Sequence, residues 1–223
     1  MVEDDDAAGD APSEHATPDA APEDATVDGP VVLECERCPA LCESRSRIVN
    51  GVGPVDADVC FVGEGPGANE DEQGEPFVGR SGSVLDDALL AAGLEREAVR
   101  ITNCVRCRPP ENRDPTTDEL ENCRSHLARE LAIVDPEVVV TLGKVPSQHL
   151  LERDVAITNE AGDVHDARVG DDQYRVLLSV HPAATLYDRS QEETFEETIA
   201  EAAALAGVER ENGSGGQSRL GEF

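Results

Sequence analysis

Apolar runs stand out sharply along a chain that is otherwise dense in charge. Residues 58–62 contain Val59-Cys60-Phe61-Val62 with no polar alternation, and Val138–Leu142 reads Val-Val-Val-Thr-Leu. Such runs predict strands covered on both faces, as in a parallel sheet. Residues 99–104 and 174–180 predict two more strands, the second pairing with Val164–Val169 across a Gly170-Asp171-Asp172 turn. Between the strands the period changes. Val84, Leu85, Ala88, Leu89 and Ala92 share one face of a helix predicted over residues 81–92 and stopped by Gly93. Thr116-x-x-Glu119 is a capping-box pattern opening a helix whose apolar face continues through Leu120, Cys123, Leu127, Leu131 and Val134. Further helices are predicted over 39–49, from Gly143 through Leu151, and over 194–206. This alternation of strands and helices predicts an α/β fold, a three-layer α/β/α sandwich with a mainly parallel central sheet.

The two ends differ in kind from this pattern. Residues 1–30 are rich in Asp, Glu, Ala and Pro, with neither Lys nor Arg. Burial there cannot offset the entropy of ordering, so the segment is predicted to be a disordered acidic head. Residues 209–223 contain Gly213-Ser214-Gly215-Gly216 and are predicted to be a flexible tail. One domain over 31–208 remains. The formal charge is −30, and Lys144 is the single lysine among 18 basic residues. Acidity of this degree self-repels in dilute salt and suits a cytoplasm with molar salt, where the Debye length is about 3 Å. A halophile is the expected source. The charge would argue against nucleic-acid binding, but it is global, whereas Arg106, Arg108 and Arg113 are clustered. No apolar stretch approaches the roughly 20 residues of a membrane span, and the acidic N-terminus is unlike a signal peptide, so a cytoplasmic protein with no membrane association is expected. Seven cysteines in that compartment point to a metal or cluster rather than to disulfides.

Candidate chemistry begins directly behind the first strand. Gly63-Glu64-Gly65-Pro66-Gly67-Ala68-Asn69-Glu70-Asp71 runs on toward Pro76-Phe77-Val78-Gly79. Glycines let backbone approach a ligand, Pro66 and Pro76 stiffen the path, and Phe77 is one of only six aromatic residues. The segment reads as a rigid cradle at the carboxyl end of a strand, where ligands of parallel sheets gather, rather than as an ordinary acidic loop. Asn103 and His181 stand at two other strand ends. Taken singly, such residues are usually a cap and a turn residue; together with Glu64 they can converge on one cleft. Cys35-x2-Cys38 and Cys107-x15-Cys123 form two separated pairs whose four thiolates suit a structural zinc or a [4Fe-4S] cluster, and ligand type alone does not decide between them. Cys42, Cys60 and Cys104 read as small core residues.

The set Gly63-Glu64-x-Pro66-Gly67, Pro76-Phe77-Val78-Gly79-x-x-Gly82, Thr102-Asn103, Cys107-Arg108-Pro109-Pro110-x-Asn112-Arg113 and His181-Pro182 resembles the type-4, iron-sulfur uracil-DNA glycosylases, over about residues 35–206. The resemblance implies a uracil-DNA glycosylase-like fold, a [4Fe-4S] cluster on Cys35, Cys38, Cys107 and Cys123, and a uracil pocket of Gly63, Glu64, Gly65, Phe77, Asn103 and His181. It also implies a monomeric, monofunctional glycosidase that takes uracil from double- or single-stranded DNA at the start of base excision repair. Glu64 and His181 are the expected catalytic residues, with Glu70 ranked below Glu64 as a positioning group. Phe77 would stack on the flipped base and Asn103 would read its polar edge. Three departures stand against the pattern: an extra residue between Cys38 and Leu41, Arg106 where Lys is more usual, and the acidic head. With the charge reading, the resemblance points to a halophilic archaeon.

Beyond the domain, Gln217, Leu220 and Phe223 have the Q-x-x-L-x-x-F spacing of peptides that dock on sliding clamps, placed after a flexible linker. A clamp is therefore an expected partner. Two rival readings accompany the main one. The first is a zinc-stapled, noncatalytic nucleic-acid-binding protein built on the same cysteines, which leaves the cradle, Asn103 and His181 without a purpose. The second is a glycosylase of broader deaminated-base specificity.

Overall fold

Successive rather than alternate apolar positions give a strand two faces to bury, and the central strands of this protein do so. The structure, a computed structural model, describes residues 25–208. Its elements in order are β1 (Ala25–Asp28), β2 (Val31–Cys35), α1 (Pro39–Ser44), β3 (Val59–Gly63), α2 (Ala68–Gln73), α3 (Arg80–Ala91), β4 (Arg100–Asn103), α4 (Thr117–Val134), β5 (Val138–Leu142), α5 (Lys144–Leu151), α6 (Ile157–Glu160), β6 (Val164–Val169), β7 (Asp172–Ser179), α7 (Pro182–Thr185) and α8 (Ser190–Leu205). Strands β4-β3-β5-β7-β6 form one sheet, parallel except for the antiparallel edge strand β6.

Val59 and Phe61 face one core with Leu85 and Leu89 of α3 and Phe195 and Ile199 of α8. Cys60 and Val62 face the other, with Leu127 and Leu131 of α4 and Leu150 of α5. The expected α/β sandwich with a mostly parallel sheet is what forms. Cys60 and Cys104 sit in the second core, as expected for packing residues.

Three local expectations need correction. The head expected to be disordered through residue 30 contains a strand within its described part, because β1 pairs antiparallel with β2. Asn50 pins that hairpin, its Oδ1 accepting from Val32 N at 2.8 Å and its Nδ2 donating to Val32 O at 3.0 Å. Backbone pairing and one distant amide, not local apolar content, hold the segment. Second, the helix expected over 39–49 ends at Ser44. Both carboxylate oxygens of Asp71 accept from Ser46 N, at 2.8 and 2.9 Å, and one also from Arg47 N, so those amides are taken from the helix ladder. Third, the cradle contains a helix, α2, ended by Gly74 in the left-handed region at φ 85°. Residues 1–24 and 209–223, and with them the clamp-type motif of Gln217, Leu220 and Phe223, lie outside the described residues.

Candidate active site

Parallel strands present their carboxyl ends together, and this sheet sends three chain segments to one place. Glu64 follows β3, Asn103 ends β4, and His181 follows β7. They line a cavity of about 200 Å³ with Gly65, Gly67, Glu70, Phe77 and Ser81. Of the six pocket residues expected from sequence, five border this cavity. Gly63 stands behind it: a Cβ there would lie 2.4 Å from Asn103 Oδ1 and 2.5 Å from the Phe77 ring, so its glycine lets amide and ring close in. A larger open groove of about 830 Å³ runs beside β2 and residues 45–48 but has no such strand-end set.

Phe77 is held in a costly conformation. Its φ of 53° lies in the left-handed region, worth about 1–3 kcal/mol of strain for a non-glycine residue. Arg96 Nη2 donates to the carbonyls of Pro76 and Phe77 at 2.8 and 3.1 Å. Gly82, one turn into α3, lies so close that a Cβ would fall 1.9 Å from Phe77 O. The ring is thereby set beside His181, centroids 5.8 Å apart and planes tilted by 32°.

The titratable groups differ in character. His181 Nδ1 accepts from Ala183 N at 3.1 Å, which leaves the proton of the neutral ring on Nε2. Burial lowers its pKa and favours that neutral state. Glu64 moves the other way. Burial first, then the charge of Asp114 and a shared hydrogen bond with it, push Glu64 up to about 7. Glu70 Oε2 accepts from Gly67 N at 3.1 Å, capping α2, so this carboxylate is committed to holding the cradle.

The cysteines gather at a second place. Cys35, Cys38, Cys107 and Cys123 line one small cavity with Cys42, Arg45, Arg106 and Asn122. Cys42 was expected in the core; its sulfur instead lies at this wall and donates to the Cys35 carbonyl at 3.6 Å. Burial pushes the Cys107 thiol up to about 11 and Cys123 up to about 12, with Arg45 pulling the first down and Arg106 the second. Arg45 Nη1 donates to Cys107 Sγ at 2.8 Å, and Asn122 Nδ2 to Cys38 Sγ at 3.5 Å. Four soft thiolate donors at one cavity, with cationic side chains beside them, fit a thiolate-ligated metal centre.

Sequence reasoning placed Gly67 and Asp71 in the cradle without giving either a contact, and did not find Ser81 or Asp114. Ser81 was within reach, since it falls inside the Pro76 to Gly82 motif. Asp71 and Asp114 act through contacts with residues far along the chain, which no local pattern marks.

Fold and cavity define an α/β protein with a strand-end pocket on the scale of one planar ring. The chain matches the family model described as the Uracil DNA glycosylase superfamily over residues 50–203. A type-4 uracil-DNA glycosylase of Archaeoglobus fulgidus is 38% identical over 180 residues, 79% of this chain and 90% of that protein. Its counterpart from Thermotoga maritima is 40% identical over 162 residues, 72% and 82% of the respective chains. A type-5 uracil-DNA glycosylase of Pyrobaculum aerophilum is 33% identical over 208 residues, 79% and 91% of the two. The chain belongs to the uracil-DNA glycosylase superfamily and, within it, to the type-4 family.

Proposed function

We propose that this protein flips uracil out of DNA and hydrolyses its N-glycosidic bond, beginning base excision repair. The observation that carries the reading is the single cavity in which Phe77, Asn103, His181 and Glu64 meet. Extruding a base costs a few kcal/mol, least where it is mismatched. Stacking on Phe77 returns about 1–3 kcal/mol. The Asn103 amide offers a donor and an acceptor to uracil O4 and N3–H, and opposes the reversed pattern of cytosine. As the bond from C1′ to N1 breaks, its electron pair moves into the ring and onto O2, where the neutral His181 donates from Nε2. Glu64 orients water toward C1′ and takes its proton, and a carboxyl poised near 7 suits a general base at neutral pH. The negative charge of Asp114 beside it also favours a cationic sugar.

Cys35, Cys38, Cys107 and Cys123 would hold a [4Fe-4S] cluster, which supplies a rigid crosslink between the N-terminal segment, the arginine-rich loop and α4. Three arginines, Arg37, Arg45 and Arg106, line the same cavity and suit the net negative charge of such a centre. Hydrolysis itself requires no electron transfer. Arg108 of the neighbouring loop would meet DNA phosphate, which positions the duplex without reading it, while Arg113 is held by both carboxylate oxygens of Glu119 at 2.7 and 2.8 Å. Leu186 or Tyr187, 43% and 81% exposed between α7 and α8, would fill the vacated stack, with Arg189 on phosphate. Among the described residues no helix is long and apolar enough to cross a membrane. The charge of −30 supports a cytoplasm of molar salt.

The test is anaerobic purification and incubation in molar salt with oligonucleotides carrying uracil, hypoxanthine or xanthine. Release of free uracil with alkali-labile strands supports the proposal. Comparable release of all three bases favours the broader-specificity reading. DNA binding without base release favours the noncatalytic rival.

A further inference from the structure

Arg106 is an unusual residue to bury. Its side chain is 1% exposed, between Cys104 in the core and Cys107 at the cysteine cavity. One terminal nitrogen, Nη2, binds Glu130, itself fully buried at the centre of a polar group. Glu130 also accepts from Arg100 Nε and Thr102 Oγ1, both at 2.7 Å. The other two nitrogens of Arg106, Nε and Nη1, are buried with no hydrogen-bond partner in the protein. An unmet buried donor costs about 1–3 kcal/mol, more when it is charged. Two on one guanidinium is an arrangement that calls for an acceptor.

The cavity wall identifies where that acceptor would sit. Arg106 lines it with the four cysteines, and the Arg106 backbone N–H already serves Cys123. A thiolate-ligated iron-sulfur cluster carries net negative charge and many sulfur acceptors. Resting on the cluster reading above, we propose that Arg106 donates its Nε–H and Nη1–H to sulfur atoms of the cluster while Glu130 fixes the plane of its guanidinium. Arg45, bonded to Cys107 Sγ at 2.8 Å, and Arg37 are further cations lining the same cavity. Hydrogen bonds to cluster sulfur favour the reduced, more negative state and raise its reduction potential. Lysine at this position would keep one charge but could not span Glu130 and two sulfur acceptors in a planar fork. Through Glu130 and Thr102 the same hydrogen-bonded chain reaches the residue next to Asn103.

The test uses the full chain, purified anaerobically. Wild-type protein is first assayed for iron and sulfide, about four of each per chain for a [4Fe-4S] centre. Absence of both overturns the cluster and the Arg106 assignment with it. With the cluster present, R106K and R106M are titrated by spectroelectrochemistry. The assignment predicts at least a tenfold loss in relative stability of the reduced form, a fall of about 59 mV for a one-electron couple, and a larger fall in R106M than in R106K. An unchanged potential in both overturns the assignment while leaving the cluster reading intact. Should neither variant retain iron, chain labelled with nitrogen-15 in its arginine side chains and carrying both R37K and R45K, which removes the other two arginines of the cavity wall, decides the matter. Guanidinium hyperfine coupling to the reduced cluster in that protein supports Arg106 as donor, and its absence overturns it.

Discussion

A residue that works as a base from a partly buried, acid-flanked position should cost stability wherever it is ionised. Glu64 is such a residue, and Glu64→Gln isolates the effect. A carboxyl displaced from 4.5 to about 7 by burial and by Asp114 represents about 3 kcal/mol at 1.36 kcal/mol per tenfold in proton affinity. Glu64 is only partly buried, and solvent screening reduces this to about 1–2 kcal/mol. The sign follows from linkage. With its pKa raised in the folded state, the group favours the folded protein when protonated, and that advantage is lost as pH rises from 4.5 through about 7. Glutamine mimics the protonated carboxyl and can still donate to Asp114. The variant should therefore match wild type near pH 4.5 and exceed it by about 1–2 kcal/mol at pH 8.5, a rise in melting temperature of about 2–8 °C. Its single-turnover uracil release at neutral pH should fall by about 10²–10⁴. Paired thermal and denaturant unfolding at the two pH values, in constant molar salt, measures the first effect. A Gln variant less stable than wild type at pH 8.5, or one that excises uracil normally, refutes the reasoning.

Other outcomes follow from the same geometry. Gly82→Ala puts a Cβ 1.9 Å from Phe77 O, and overpacking against backbone costs about 1–3 kcal/mol; displacement of the ring should slow excision by tenfold or more, and a wild-type rate would contradict this. Asp71→Ala removes the acceptor for Ser46 N and Arg47 N; urea unfolding should show about 1–3 kcal/mol of destabilisation, and an unchanged midpoint would contradict it. Deleting the last seven residues, with Gln217, Leu220 and Phe223, should abolish binding to a sliding clamp in a pull-down with purified clamp while leaving uracil release from short oligonucleotides unchanged.

What could be read from sequence was whatever short-range physics controls. The unbroken apolar run of β5 forms a strand over the expected residues, Val138–Leu142. Thr116 and Glu119 form the reciprocal capping box that their spacing announces. Strand ends also located the pocket, because a parallel sheet leaves Glu64, Asn103 and His181 few alternatives to meeting. Long-range partners were invisible. Nothing near Asp71 marks it as the acceptor that ends α1, and nothing in residues 25–28 shows that Asn50 will secure their hairpin. The left-handed backbone of Phe77 was equally hidden, since it is imposed by Arg96 and Gly82 rather than chosen by Phe77 itself.

The account stands or falls on one cavity receiving one base. A crystal structure of this protein with cleaved uracil and abasic DNA tests that directly. Uracil beside Phe77, with O4 and N3 on Asn103, O2 within hydrogen-bond reach of His181 Nε2, and Glu64 facing C1′, is the predicted result. Uracil bound elsewhere, or held in the cavity with its polar edge turned away from Asn103, would contradict it.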